Sequence, residues 1–366
     1  MNYKETLFFV AKCLTITLEE KNRIEIEDSL KNTEIDWDSV VKVSTQHFVF
    51  PALYCNLKRV NLLQYLPEEL VNYMVHITDL NRERNKQIIE QAKEINSLLL
   101  ANDITPIFLK GTGNLLEGLY TDIAERMVGD IDFIVSKDNF NKAVSILKTD
   151  KYYSKNETYM DFHWHYPKMT KNGRIAAVEV HNKVLKKPYT SLLNYQALKN
   201  KSFKSEKCNV ASFENQLLIT ILQKQINDNL YYSKSLALRN IYDSFLLANK
   251  TQDSLDLGIS NSKIKKYLNN YKACAHLLLN EPKSLKYTKN SDAKKYVDSY
   301  LKTIENSKSE LRKIKYIDSL VRLKDKLKIL QYSFTDKEYS KYTFRRLKNL
   351  NFYLKQLNLT KSKSNS

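Results

Sequence analysis

Apolar positions recur with two different periods along the 366-residue chain, and the change of period divides it. In TDLNRERNKQIIEQAKEINSLLLAN, residues 78–102, Ile88, Ile89, Ala92, Ile95, Leu98 and Leu99 form a stripe with helical spacing. Upstream, Asp36-Trp37-Asp38-Ser39 precedes another such segment, and Asp36 or Asp38 is suited to cap its N-terminus. Pro51 interrupts that segment, and LPEEL at residue 66 opens the next helix with proline in its first turn. The opening MNYKETLFFVAKCLTITLEEKNR has an apolar patch, but Glu5 and Lys12 interrupt it and no small-residue cleavage site follows, so it reads as a helix and not a signal peptide. Residues 1–100 therefore read as a helical N-terminal region.

The period then shortens. Strands are predicted over 105–110 (TPIFLK) and 130–135, with a helix over 112–121, a loop over 122–129 and a further helix over 137–149. HWHYPKMT and RIAAVEVHNKV flank Lys171-Asn172-Gly173, where Asn-Gly predicts a tight type I′ hairpin. After Pro188 no proline occurs until Pro282, and FENQLLITILQKQI, SLALRNIYDSFLLA and SYLKTIENSKSELRKIKYIDSLVRLKDKLKIL are helix-patterned. The fold class is α+β, a small mixed-sheet core embedded in largely helical N- and C-terminal regions. The expected units are the helical region 1–100, the α/β core 101–188, a helical domain 189–282 packing on it, a basic helical region 283–359 and a disordered tail 360–366.

Composition sharpens this. A hydrophobic content of 42% and a charged content of 27% describe a globular protein, and no apolar run approaches the roughly 18 residues needed to span a bilayer. Cys13, Cys55, Cys208 and Cys274 are isolated, which fits buried, inert thiols in a reducing cytoplasm. The net charge of +18 is concentrated late: residues 283–366 hold 22 Lys or Arg against 8 Asp or Glu. That surplus suggests a polyanionic partner, RNA above all, against the alternative of a solvated lysine-rich face.

The chemistry lies in the middle. All six glycines lie beyond residue 110, and Gly111, Gly113, Gly118 and Gly129 fall within 19 residues. FLKGTGNL follows a strand and opens a helix, so backbone amides at Gly111 and Gly113 can face a phosphate that Lys110 also reaches. In RMVGDIDFIV, Asp130 and Asp132 share one face of a strand, an arrangement that repels itself without a cation. Glu179, alternating with Val178 and Val180, supplies a third carboxylate. Oxygen ligands of this kind suit magnesium in phosphoryl-transfer sites.

KGTGNLLEGLY…R…GDIDFIV followed by VEVH resembles the uncharacterised nucleotidyltransferase family of the DNA polymerase beta–like nucleotidyltransferase superfamily. It is also similar to abortive-infection toxin nucleotidyltransferases. The resemblance covers about residues 35–250, including the WDSVVKVSTQHFVFPALYCNL lead-in and the RNIYDSFLL helix. It implies that Asp130, Asp132 and Glu179 are catalytic metal ligands for two Mg²⁺ ions, with Mn²⁺ an alternative. It also implies that Lys110, Gly111, Thr112, Gly113 and Arg126 bind the nucleotide. The family usually places two small residues directly after the strand; here Thr112 separates two glycines.

The implied reaction moves a nucleoside monophosphate from a triphosphate to an acceptor hydroxyl, on a tRNA-like RNA end, in a toxin or defence setting with an antitoxin or other partner protein. Transfer to a small molecule or a protein side chain is an alternative, as is an inactive nucleotide-binding module. Several residues have blander readings. Asp130 and Asp132 can be a solvated strand start, and Lys110 a structural partner of Asp130. His163, His165 and His181 suggest zinc only weakly, since no fourth ligand accompanies them; His181, facing as Glu179 does, is the one placed to line a pocket. Trp164 and the Tyr152–Tyr153 pair can stack on a base or fill the core, and Asp243 reads as an internal ion-pair or capping residue, with a nucleotide contact as the lesser alternative.

Overall fold

In the computed structural model, residues 1–155, 162–205, 208–251, 259–305 and 308–348 are described. The predicted disordered tail 360–366 lies outside them. The 33-residue helix Glu68–Leu100 carries the expected stripe, with Ile88, Ala92, Ile95 and Leu99 buried. Asp36 caps the helix Trp37–Gln46, its carboxylate accepting from the Ser39 amide at 3.0 Å. Pro51 sits in the first turn of the next helix, Phe50–Arg59.

Among the described residues one sheet has five strands: β1 (Ile107–Phe108), β2 (Asp130–Ile134), β3 (Ala177–His181), β4 (Phe203–Ser205) and β5 (Cys208–Val210), in the order β3-β2-β1-β5-β4. β1 runs antiparallel to β2, whereas β2 and β3 are parallel. Ile131, Phe133, Val178 and Val180 bury one face of the β2–β3 pair, and Phe133 packs on Phe108 with ring centroids 5.8 Å apart. The mixed sheet among helices is the α+β architecture the alternating periods predict.

Two local readings change. β1 is shorter than the predicted 105–110: it starts at Ile107, and its end is cut back because the helix Lys110–Leu116 begins two residues before the predicted 112. The Asn-Gly hairpin exists, with Met169 bridging Val178 and His165 bridging His181 in antiparallel fashion. Its turn is not type I′, however: only Gly173 has positive φ (+75°), whereas type I′ needs it at Asn172 as well.

Helix Glu68–Leu100 also fixes the sheet through polar residues that continue its inner face. Asn81 Nδ2 donates to the Ala124 carbonyl, and Asn85 Nδ2 to those of Ile123 and Arg126, each at 2.6–2.7 Å. Gln91 grips Ala176, just before β3, from both sides (3.0 and 3.1 Å). Buried amides that satisfy loop backbone in this way hold the starts of β2 and β3 in place. The four cysteines are buried, and none forms a disulfide. No helix among the described residues is long and apolar enough to cross a membrane.

Candidate active site

Asp132 lies directly across from Glu179 in the parallel β2–β3 register. Because residues two apart share a strand face, Asp130, Asp132, Glu179 and His181 all point to the same side of the pair. Neighbouring strands are only about 4.8 Å apart, so these carboxylates repel one another unless a cation intervenes. Two ammonium groups do so here. Lys110 Nζ donates to Asp132 Oδ1 at 2.6 Å and lies 3.7 Å from Glu179 Oε2. Lys168 Nζ donates to Asp130 Oδ2 at 2.7 Å and lies 3.5 Å from Glu179 Oε1.

His181 completes the cluster, its Nε2 2.9 Å from Asp132 Oδ1 and 3.6 Å from Glu179 Oε2. Burial pushes the Glu179 carboxyl up, but the His181 hydrogen bond and the Lys110 charge outweigh it and hold Glu179 well below the usual range. Burial likewise works against the Lys110 ammonium, while Asp132 and Glu179 raise its pKa. Lys110 is therefore charged and Glu179 ionised at neutral pH.

Asp132, Glu179 and His181 each present a ligand atom, all within 4.8 Å of one another. Two carboxylates and an imidazole so placed could together hold a metal ion. The His181 Nδ1 is buried without a hydrogen-bond partner, while its Nε2 faces the acceptor-only carboxylate of Asp132. Asp130, placed by sequence in the metal set, lies outside this threesome and reaches Glu179 through Lys168.

The lysine-glycine turn divides its residues between two tasks. Lys110 has φ +54°, a left-handed backbone that costs a non-glycine residue energy, and its amide donates to Gln216 Oε1 at 2.9 Å. Lys110 and Gly111 line the cavity in front of the carboxylates. Thr112 is buried and donates its hydroxyl to the Asp130 carbonyl at 2.9 Å, tying the turn to β2. Gly113 packs against β1, where a Cβ would come within 2.9 Å of the Phe108 carbonyl oxygen. The second glycine therefore serves packing.

Arg126, also placed in the nucleotide set, is buried beside Gly111, and its Nε donates to Asp243 Oδ2 at 2.9 Å. Asp243 accepts in addition from Tyr120 Oη at 2.8 Å, which makes it the internal ion-pair residue that its context suggests. The cavity measures about 340 Å³. Its far wall comes from the helix Phe213–Leu222, the π-helical turn Gln223–Asn227 that continues it, and the helix Leu238–Lys250. π-turns inside helices are often found at functional sites.

Arg239 stands on that wall without an ion-pair partner among the described residues, and burial beside Arg126 lowers it to about 10. Its Nε is buried without a hydrogen-bond partner, and its guanidinium lies 4.9 Å over the Phe48 ring. Trp164 lines the cavity, stacked on His163 at 4.0 Å, whereas Tyr152 is buried and Tyr153 exposed.

Sequence reasoning missed Lys168 and Arg239. Lys168 follows from the hairpin only once its register is known. Arg239 carried a weak signal, being one helical turn before Asp243 in RNIYDSF.

The chain matches the family model described as uncharacterised nucleotidyltransferase over residues 33–279, about two thirds of its length. No curated protein and no solved structure matches. The matched span runs from before the helix Trp37–Gln46 to beyond Asp243, so it takes in both walls of the cavity. On that match the chain belongs to the uncharacterised nucleotidyltransferase family.

Proposed function

We propose that this family member transfers a nucleoside monophosphate from a nucleoside triphosphate to an acceptor hydroxyl, whose oxygen bonds the α-phosphorus as the bond to the β-phosphate breaks and pyrophosphate leaves. The observation that carries the reading is Asp132 facing Glu179 in register, beside Lys110, at one wall of a cavity whose other wall holds Arg239. Asp132 and Glu179, with Asp130 and His181 at their edges, would hold magnesium or manganese, as one ion or two. A bound divalent cation neutralises charge on the reacting and departing phosphate oxygens.

The chain's own residues do the positioning. Lys110 exchanges Asp132 for a phosphate oxygen, and Gly111 leaves room for the chain of phosphates. Arg239 offers a planar cation from across the cavity. The depressed pKa of Glu179 suits it to holding a cation and orienting the acceptor, not to storing the proton the hydroxyl releases. Catalysis of this type rests on placement and electrostatics.

The acceptor is an RNA end. The net charge of +18 supports it, and the proposal extends to a toxin or defence role in the cytoplasm. A second reading is favoured by the ammonium groups already seated on the carboxylates: a module that binds nucleotide without transferring it.

The test incubates the protein with each labelled triphosphate, magnesium or manganese, and total RNA, beside Asp132→Ala and Glu179→Ala. Labelled RNA is expected with the unaltered protein and at least about 100-fold less with either variant. Label on no RNA but pyrophosphate release with another acceptor would overturn the RNA acceptor. No turnover of any triphosphate would overturn transfer itself.

A further inference from the structure

The helix Lys308–Ser333 faces two ways. Its inner side meets the body of the protein: Asp325 pairs with Lys186 at 3.1 Å, and Val321 and Lys328 border Tyr189 and Tyr267. On the opposite side Tyr316, Leu320, Leu323, Leu327 and Leu330 are all exposed, from 47% to 66%, and Phe334, in the turn just after the helix, is 89% exposed.

Their spacing alternates four and three residues, the seam of a coiled coil. At about 100° per residue the five helical positions fall within roughly 40° of one line, which runs for about 21 Å. A continuous apolar stripe of that length exceeds what an ordinary monomer leaves in water.

The charges beside it select the occupant. Arg312, Lys313 and Lys326 flank the stripe and are exposed, whereas Glu310, Asp318 and Asp325 all fall on the inward half of the same helix. A second copy would bring lysines against lysines. Residues 349–366, the chain's own apolar-patterned end, carry Lys355, Lys361 and Lys363 and no acid, so they too are mismatched.

We propose that this stripe docks an amphipathic helix of a partner protein, with leucine-like residues in its seam and acidic residues at its flanks. Polyanionic RNA complements the lysines but leaves six large apolar side chains in water, so the protein helix matches more of the surface. This interaction is independent of the transfer reaction.

The test uses the full chain and labelled synthetic helical peptides with leucine seams, one flanked by glutamate and one by lysine, beside single-stranded RNA. The glutamate-flanked peptide is expected to bind at least about tenfold tighter than the lysine-flanked one. Combined Leu323→Glu and Leu327→Glu substitution should weaken that binding at least about tenfold, with helix content and melting temperature unchanged because both side chains are exposed.

Equal or absent binding of the two peptides would overturn the proposal. So would RNA affinity that falls equally in the double variant, which makes the stripe an RNA contact, or a dimer of the full chain that the same variant dissolves. Binding that appears only after Leu350→Glu, Leu354→Glu and Leu357→Glu would assign the stripe to the chain's own end.

Discussion

Lys110 combines two costs that only a site would keep. Its backbone is left-handed at φ +54°, and its ammonium is partly buried between two carboxylates. The backbone cost is separable from the charge. Lys110→Gly removes both the Cβ clash and the ammonium, whereas Lys110→Ala removes the ammonium alone. Both variants are expected to lose nucleotidyl transfer. Glycine should leave the protein more stable than alanine by roughly 1 kcal/mol, read as a higher unfolding midpoint. Equal stability of the two would mean that the left-handed backbone stores no strain. At this scale the sequence made residue identities legible but not their contacts: Lys110 lies beside Asp132 and Glu179, while Thr112 and Gly113 touch β2 and β1.

Two elements far apart in sequence are joined at the cavity wall by one ion pair. Arg126, on the approach to β2, meets Asp243 on the helix Leu238–Lys250, and both are buried. Burial works against the Arg126 guanidinium, but Asp243 more than restores its charge. Removing one partner leaves the other charged and dry, which typically costs about 3–5 kcal/mol. Arg126→Met and Asp243→Asn should each destabilise by that order in denaturant titration. The double variant should cost less than the sum of the two, since neither then strands a charge. A strictly additive double variant would show that the pair does not couple the elements. The helical pattern of RNIYDSF was legible in the sequence, as was the internal role of Asp243. Its partner was not, because 117 residues separate the two and no local rule connects them.

Across the whole molecule, positive charge accompanies an inward-facing acidic site. Lys110 and Lys168 offset two of the three carboxylates of β2 and β3, so the chain's positive surplus lies outside this cluster. If RNA is the acceptor, its binding should weaken steeply with salt, log affinity falling linearly with log salt concentration. Replacing Lys294 and Lys295 on the helix Ser291–Ile304, both exposed, by glutamine should reduce that slope by one to two units, measured by filter binding at several ionic strengths. A flat salt profile would remove RNA from the reading. The sequence by itself determined the periods of the elements, the α+β class and the identity of the strand carboxylates, because side-chain alternation and helical spacing are local properties of the chain. The tertiary structure decided which carboxylate faces which, that His181 joins Asp132 and Glu179, that Lys168 pairs with Asp130, and that Arg239 lines the cavity in front of them. Those facts depend on strand register and on contacts between residues distant in sequence, which are set by burial of the whole core and not by any neighbouring residue.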